Sequence, residues 1–369
     1  MYIRRLNNMV AIPGGGMVLF SPEYGTIFQF NAMAHLVWRL LPKCTVETIV
    51  RLISDRYNVP KSQVAVDIDE LSKQFEFVAN KKVRTRRFAT NNVDGIIEPG
   101  MVRVLFKLGQ LTIDIEAPPS LAAHFATVFK VYENIDDAPI LKVQLSWLSP
   151  TSGALSLDGT CFVPDAPWEI LVGGVYHGIL QRLYPHEEWA AILHAAAVSK
   201  HGRALILAAT SGSGKTTLTA GLVASGYQYL SDEVVPLRQN DFAVRALPLA
   251  LRIKRGSVAM LSKQNLGLDP YSTELVQSLS LPADPSGSAI PPLALVFTKY
   301  VVQDASGLKP LDVEAALTKL LSDRVFLGHP LNLTNIQNFV SWLKHIKIYE
   351  LTYSEYKDAE QCLNSVLQS

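Results

Sequence analysis

Cysteine is scarce in this chain: Cys44, Cys161 and Cys362 are scattered and odd in number. That points to neither a disulfide frame nor a zinc site and suits a reducing compartment. No run is apolar enough for long enough to span a bilayer, and the opening Met1-Tyr2-Ile3-Arg4-Arg5-Leu6-Asn7-Asn8 lacks the apolar core of a signal peptide. The expectation is a cytoplasmic protein with no membrane partner. Charge of one sign is missing too. Lys and Arg number 34 against 33 Asp and Glu, a formal net of +1, so no broad basic face for nucleic acid is expected. Internal repeats are absent. What the chain has is length: 369 residues exceed one ordinary core, and two or three domains are expected.

The most informative stretch is Ala209-Thr210-Ser211-Gly212-Ser213-Gly214-Lys215-Thr216-Thr217. Ala204-Leu205-Ile206-Leu207-Ala208 before it reads as a buried strand, and Leu218 to Ser225 after it as a helix closed by Gly226. Strand, Gly-rich turn and helix opening at Gly-Lys-Thr make a phosphate-binding P-loop in its required context, with Ala209 in place of the first glycine. The glycines let backbone N–H groups of Ser211, Gly212, Ser213 and Gly214 turn inward around a polyphosphate, and the helix N-terminus adds partial positive charge. Lys215 can reach the β- and γ-phosphates of ATP, Thr216 can hold Mg²⁺, and Thr217 continues the loop.

Residues 10 to 80 carry a pattern of their own. Met17-Val18-Leu19-Phe20 and Thr26-Ile27-Phe28-Gln29-Phe30 flank the turn signal Ser21-Pro22-Glu23-Tyr24-Gly25. Asn31, Thr45 and Ser62 read as caps of three amphipathic helices, and Pro42 ends the first. This is a small winged-helix-like unit. By Leu19-Phe20, Phe28-Gln29-Phe30-Asn31, Val37-Trp38-Arg39-Leu40-Leu41, Thr45 to Val50 and Tyr57-Asn58-Val59-Pro60 it resembles the PqqD family. The resemblance implies recognition of the leader of a ribosomally made precursor peptide, which adds as a strand to the exposed hairpin edge and is gripped by the last helix. DNA binding fits poorly, because the third helix is acidic at Asp67, Asp69 and Glu70.

The basic run Lys81 to Arg87 reads as a linker. Between residues 98 and 185 the pattern predicts a hairpin about Gly109, a helix from Leu121 to Tyr132, a tight turn at Asp158-Gly159, and a helix from Trp168 to Tyr184. No catalytic constellation is visible there. Leu193-His194-Ala195-Ala196-Ala197-Val198 reads as one strand. Past the P-loop helix, Asp232 and Glu233 close the hydrophobic run Tyr229-Leu230-Ser231, where an α/β core places its site.

His194 to Val198, the P-loop and Leu230-Ser231-Asp232-Glu233 together resemble the HPr kinase/phosphorylase core, with its PEP carboxykinase-like fold. The match covers roughly residues 190 to 260. It implies that Asp232 accepts the proton of an acceptor serine, that His194 stands beside that acid, and that Glu233 helps Thr216 hold the metal. The family's acid-x-Arg-Gly stretch is here Ile253-Lys254-Arg255-Gly256, which keeps Arg-Gly and lacks the acid. Read from the residues alone, Asp232 is also consistent with a Mg²⁺-water ligand of a nucleotidase, and His194 with a buried structural histidine. Arg252 and Lys254 are positioned in sequence to steady a phosphate.

The expected architecture is α/β (α+β overall): a PqqD-like unit at 1–85, an α+β lobe at 86–190, and a P-loop kinase core at 191–369. Pro/Gly/Ser-rich residues 281–288 read as a loop, and helices at 313–321 and 331–343 as packing elements. The expected function is ATP- and Mg²⁺-dependent phosphorylation of a Ser or Thr hydroxyl in a precursor peptide recruited by its leader, as in kinases of lasso-peptide biosynthesis. The alternatives are a nucleotide-switched peptide chaperone and a kinase of a protein or small molecule. The sequence leaves a homo-oligomer open.

Overall fold

The turn signal near the start of the chain organises a three-stranded antiparallel sheet. In the computed structural model β1 (Met9–Ala11), β2 (Met17–Ser21) and β3 (Thr26–Phe30) lie in that order, with Leu19 opposite Phe28. The structure describes residues 8–21, 26–80, 100–108, 111–129, 141–149, 152–209, 213–247, 249–261, 266, 268–269, 276–279, 287–302, 306–322, 325–327 and 331–368. The turn residues Pro22 to Gly25, the basic run 81–87, Gly109, residues 281–286 and His329 lie outside them.

Three helices follow. α1 (Ala32–Leu40) is capped by Asn31, whose Oδ1 accepts from the Ala34 N–H, and α2 (Val46–Tyr57) by Thr45 in the same way. Asn58, at φ 53°, closes α2 in the left-handed conformation. α3 (Lys61–Asn80) departs from expectation. It starts one residue before Ser62, and the Pro60 carbonyl accepts the Val64 N–H at 3.1 Å. Proline's fixed φ suits a helix entrance, so Pro60 rather than the serine sets it. Phe75 is fully buried between Phe30 and Trp38, in edge-on contact with both at 5.1 and 5.0 Å. Ile49, Ile53, Val64 and Ile68 complete this core.

The contacts divide the chain into two units: Met1–Phe88 with Pro310–Ile348, and Ala89–Lys309 with Tyr349–Ser369. In the second, β4 (Val102–Leu108), β5 (Leu111–Ala117), β6 (Leu141–Ser149), β7 (Ser152–Leu157) and β8 (Thr160–Pro167) form a sheet in chain order. β5 and β6 are parallel, joined through α4 (Pro119–Val128), and the other pairs are antiparallel. α4 begins two residues before the expected Leu121, because Pro119 sits in its first turn. Asp158 and Gly159 take φ 50° and 78°, the two positive angles that a tight hairpin turn requires. α5 (Trp168–Leu183) buries Leu171, Val175 and Ile179, at spacings of four, in the core of this lobe.

The predicted single strand from Leu193 to Val198 is two strands. β9 (Trp189–Leu193) and β10 (Ala195–Lys200) part at His194. β10 pairs antiparallel with β11 (Arg203–Ala208), which leads to α6 (Lys215–Ala224) and then β12 (Gln228–Ser231). β9 instead pairs with β13 (Val235–Arg238). The remaining elements are β14 (Leu251–Lys254), α7 (Arg255–Leu261), β15 (Val276–Leu279), β16 (Pro292–Tyr300), β17 (Gly307–Pro310), α8 (Val313–Ser322), β18 (Val325–Leu327), α9 (Leu333–His345), β19 (Lys347–Tyr353) and α10 (Tyr356–Gln368). The central sheet runs β12-β10-β11-β16-β19-β17, and β16 is parallel to β11. Leu205, Leu207, Ala294 and Val296 of that sheet share one cluster with Leu218 and Leu222 of α6 and Leu363 of α10.

Residues 310–348 therefore group with the N-terminal segment rather than with 191–309. α8 packs against β3, where Gln29 Nε2 donates to the Glu314 carbonyl at 3.0 Å, and α9 packs against β1. Both outer strands of the small sheet thus have a helix from far along the chain beside them.

Candidate functional site

β11 delivers the chain to Ala209, and α6 starts at Lys215. Thr210, Ser211 and Gly212 lie outside the described residues. Gly214 stands before the helix at φ 87°, and a Cβ there would lie 2.5 Å from Tyr353 Oη. Glycine is required twice over, by the backbone angle and by the tyrosine. Tyr353 Oη donates to the Gly214 carbonyl at 3.2 Å, and the Tyr300 N–H donates to the Ser213 carbonyl at 3.1 Å. The loop's exit is thereby tied to β19 and β16. The first N–H groups of α6 have no partner within the helix, and the helix dipole adds positive potential at that end.

Three predicted residues meet at this point. Lys215 Nζ lies 2.5 Å from Asp232 Oδ1, and the Thr216 hydroxyl donates to Asp232 Oδ2 at 2.9 Å. Asp232 follows the last residue of β12 and is 1% exposed, and Lys215 is 8% exposed. A charge pair this deeply buried is expensive to assemble, so its geometry is held by its surroundings. Thr217 points its hydroxyl elsewhere, donating to Ser257 Oγ of α7 at 2.8 Å.

His194 sits where β9 gives way to β10, and its Nε2 is 2.7 Å from Glu233 Oε2. The resemblance placed this histidine beside the first acid; in the structure its partner is the second. Asp232 is occupied by Lys215 and Thr216, and Glu233 has φ 70°, a left-handed angle uncommon for a non-glycine residue that sends its side chain another way. Burial pushes the Glu233 carboxyl up. The His194 hydrogen bond and the charges of Lys215, His194 and Arg252 outweigh it and hold the group at about 2.

Two further residues carry buried polar atoms without a hydrogen-bond partner: Arg252 at Nε and Thr298 at Oγ1. Thr298 is 4% exposed and follows Phe297, which pairs with Ala208 at the end of β11. By strand alternation it shares a face with Ala294 and Val296, the face that packs on α6. A buried hydroxyl left unpaired costs about 1–3 kcal/mol, so Thr298 has a hydrogen bond to offer on the sheet face it shares with Val296. Arg252 was legible in the sequence; Thr298 was not, although a threonine directly after the hydrophobic run Leu295-Val296-Phe297 was the available signal.

Among the described residues no group of three or more His, Cys, Asp or Glu could hold a metal by itself. The Thr216 hydroxyl beside the Asp232 carboxylate is nonetheless a hard-oxygen pair of the kind Mg²⁺ uses when phosphates supply most of its ligands. No helix among the described residues is long and apolar enough to cross a membrane.

No curated protein matches the chain. Residues 16–76, which cover β2 through most of α3, match the family model of coenzyme PQQ synthesis protein D (PqqD), so the chain carries a PqqD-like domain.

Proposed function

We propose that the chain is an ATP-dependent peptide kinase with its own substrate-binding domain. The PqqD-like domain supports recruitment of a ribosomally synthesised precursor peptide, the class of ligand such domains bind. The observation that carries the kinase reading is the convergence of a lysine, a hydroxyl and a carboxylate, all from Lys215, Thr216 and Asp232, at the N-terminus of α6. Phosphoryl transfer asks a protein mainly for positioning and charge neutralisation, and these are the groups it uses.

In this reading the γ-phosphate of ATP takes Lys215 from Asp232. Thr216 and Glu233 would hold Mg²⁺, which would neutralise phosphate charge. Asp232, released from Lys215, accepts the proton of a serine or threonine hydroxyl. The hydroxyl oxygen bonds to the γ-phosphorus, the bond from that phosphorus to the bridging oxygen breaks, and ADP leaves with the electron pair. Glu233 stays ionised and keeps His194 oriented at the rim. Thr298 and Arg252 offer donors to phosphate oxygens. Tethering by the leader raises the local concentration of the acceptor to about the millimolar range, so the active site itself can bind weakly.

One observation favours a competing reading: Asp232 is engaged by both Lys215 and Thr216, and a carboxylate so held is not free to take a proton, which suits a nucleotide-switched chaperone without transfer. The two part on transfer. The chain is incubated with ATP-Mg²⁺ and each short peptide encoded beside its gene, and mass is recorded. The kinase adds one phosphate to a leader-bearing peptide and loses this on deletion of residues 1 to 85. Leader affinity that changes with ATP, with no mass increment on any peptide, selects the chaperone.

A further inference from the structure

The N-terminal unit has a cleft of about 570 Å³ bordered by α1, the end of α2 and Glu314 of α8. Its lining includes no residue of β3 or α3, the elements through which the PqqD resemblance implies leader binding, although Glu314 also meets Gln29 of β3 through its carbonyl; Glu314 lies outside the residues matched to that family. We propose that this cleft is a second peptide subsite, which takes a carboxylate-bearing stretch of the precursor; the proposal rests on the peptide-binding reading above.

Arg39 from α1 and Arg56 from α2 both line the cleft, both are exposed, and neither has a carboxylate partner among the described residues. Arg103, Arg182 and Arg238 of the same chain each carry one. Arg56 lies over the Tyr57 ring at 5.5 Å, and Tyr57 is 46% exposed. The face of that aromatic steadies the guanidinium and leaves its N–H fork free for a bidentate carboxylate. His35 Nδ1 is 2.7 Å from the Gly15 carbonyl. A carbonyl can only accept, so Nδ1 carries the proton and Nε2 remains for a ligand N–H. Leu36 supplies a half-buried apolar wall.

Glu314 gives the cleft direction. A Cβ on Gly14 would lie 2.5 Å from Glu314 Oε2, so the carboxylate is tucked against the turn between β1 and β2 and pairs with neither arginine. An acidic segment is attracted at the arginine end and repelled at the other. Nucleic acid is a poor occupant, because two guanidinium groups beside a carboxylate give no track for a phosphate backbone, and α3 on this unit presents Asp67, Asp69 and Glu70.

The test is fluorescence anisotropy of fluorescein-labelled hexaglutamate, hexalysine and a neutral Gly-Ser peptide with the full chain and no nucleotide. Hexaglutamate binds best, R39A/R56A weakens it about tenfold, and E314Q tightens it. The charge-matched control K43A/R51A, two exposed residues outside the cleft, changes it less than about twofold. Equal weakening by both double variants, or no preference for hexaglutamate over the neutral peptide, overturns the proposal. Displacement of hexaglutamate by equimolar inorganic phosphate also overturns it, as a plain anion site. No nucleotide is present, so these outcomes leave phosphoryl transfer untouched, and a failure of transfer leaves them standing.

Discussion

Asp232→Asn removes the carboxylate from a pair in which Lys215 is 8% and Asp232 1% exposed. The remaining ammonium would then be buried without the carboxylate it bonds to, with Glu233 as a nearby negative charge. Removing one partner of such a pair costs roughly 3–5 kcal/mol, whereas replacing both by groups of similar size is often close to neutral. Lys215→Met should therefore be strongly destabilising, Asp232→Asn likewise, and the double variant should recover most of the loss. The coupling in a double-mutant cycle should exceed about 2 kcal/mol, well beyond the roughly 0.3–0.5 kcal/mol within which independent sites add. Urea unfolding of the full chain, followed by circular dichroism, reads it. ATP-Mg²⁺ at about a hundred times its dissociation constant should stabilise the wild type by about 2.7 kcal/mol. It should stabilise Asp232→Asn by more, because phosphate then meets a lysine with no competitor, and Lys215→Met not at all. A coupling within the additive range would refute the claim that these side chains form one unit, as would equal nucleotide stabilisation of Lys215→Met and wild type.

The Glu233 carboxyl, held at about 2 against an ordinary 4.5, binds its proton more weakly folded than unfolded. Its contribution to stability is therefore complete above about pH 4.5 and is lost as pH falls through 2. Carbon-13 titration should show no Glu233 transition between pH 7 and 3, and His194→Ala should move it upward; a wild-type midpoint near 4.5 contradicts this. Gly221→Ala sets helix propensity against packing. Alanine gains about 1 kcal/mol in a helix interior, but its Cβ would lie 2.4 Å from the Tyr356 ring, and overpacking costs about 1–3 kcal/mol. The variant should be destabilised in urea, and adding Tyr356→Ala should reverse the sign. A fragment ending at residue 85 should be less stable than the same unit in the full chain, because it lacks the helices beside β1 and β3. Equal protection of its amides from hydrogen exchange would argue against that packing.

Local chemistry was legible and distant pairing was not. Asn31 and Thr45 were readable as caps because a short oxygen before an apolar repeat has one job. Asp158-Gly159 was readable because few residue pairs accept two positive angles. The break at His194 was hidden because β9 and β10 are almost wholly buried, and two apolar strands in succession look like one. The return of α8 to β3 spans more than two hundred residues and leaves no trace in the periodicity of either segment. At the candidate site, Lys215 and Asp232 were read as parts of one set, the first on the phosphates and the second on the acceptor hydroxyl; what the fold adds is that they bond to each other. It also moved His194 from the first acid to the second, because the backbone angle of Glu233 cannot be read from an acidic pair.

The central claim is tested most directly by measuring phosphoryl transfer and ATP affinity side by side in Asp232→Asn. If Asp232 takes the proton of the acceptor hydroxyl, transfer to the peptide should fall by about 10²–10⁴, while ATP binds as tightly as in the wild type or more so. Transfer that survives the substitution, or transfer and affinity that fall together in proportion, would contradict it.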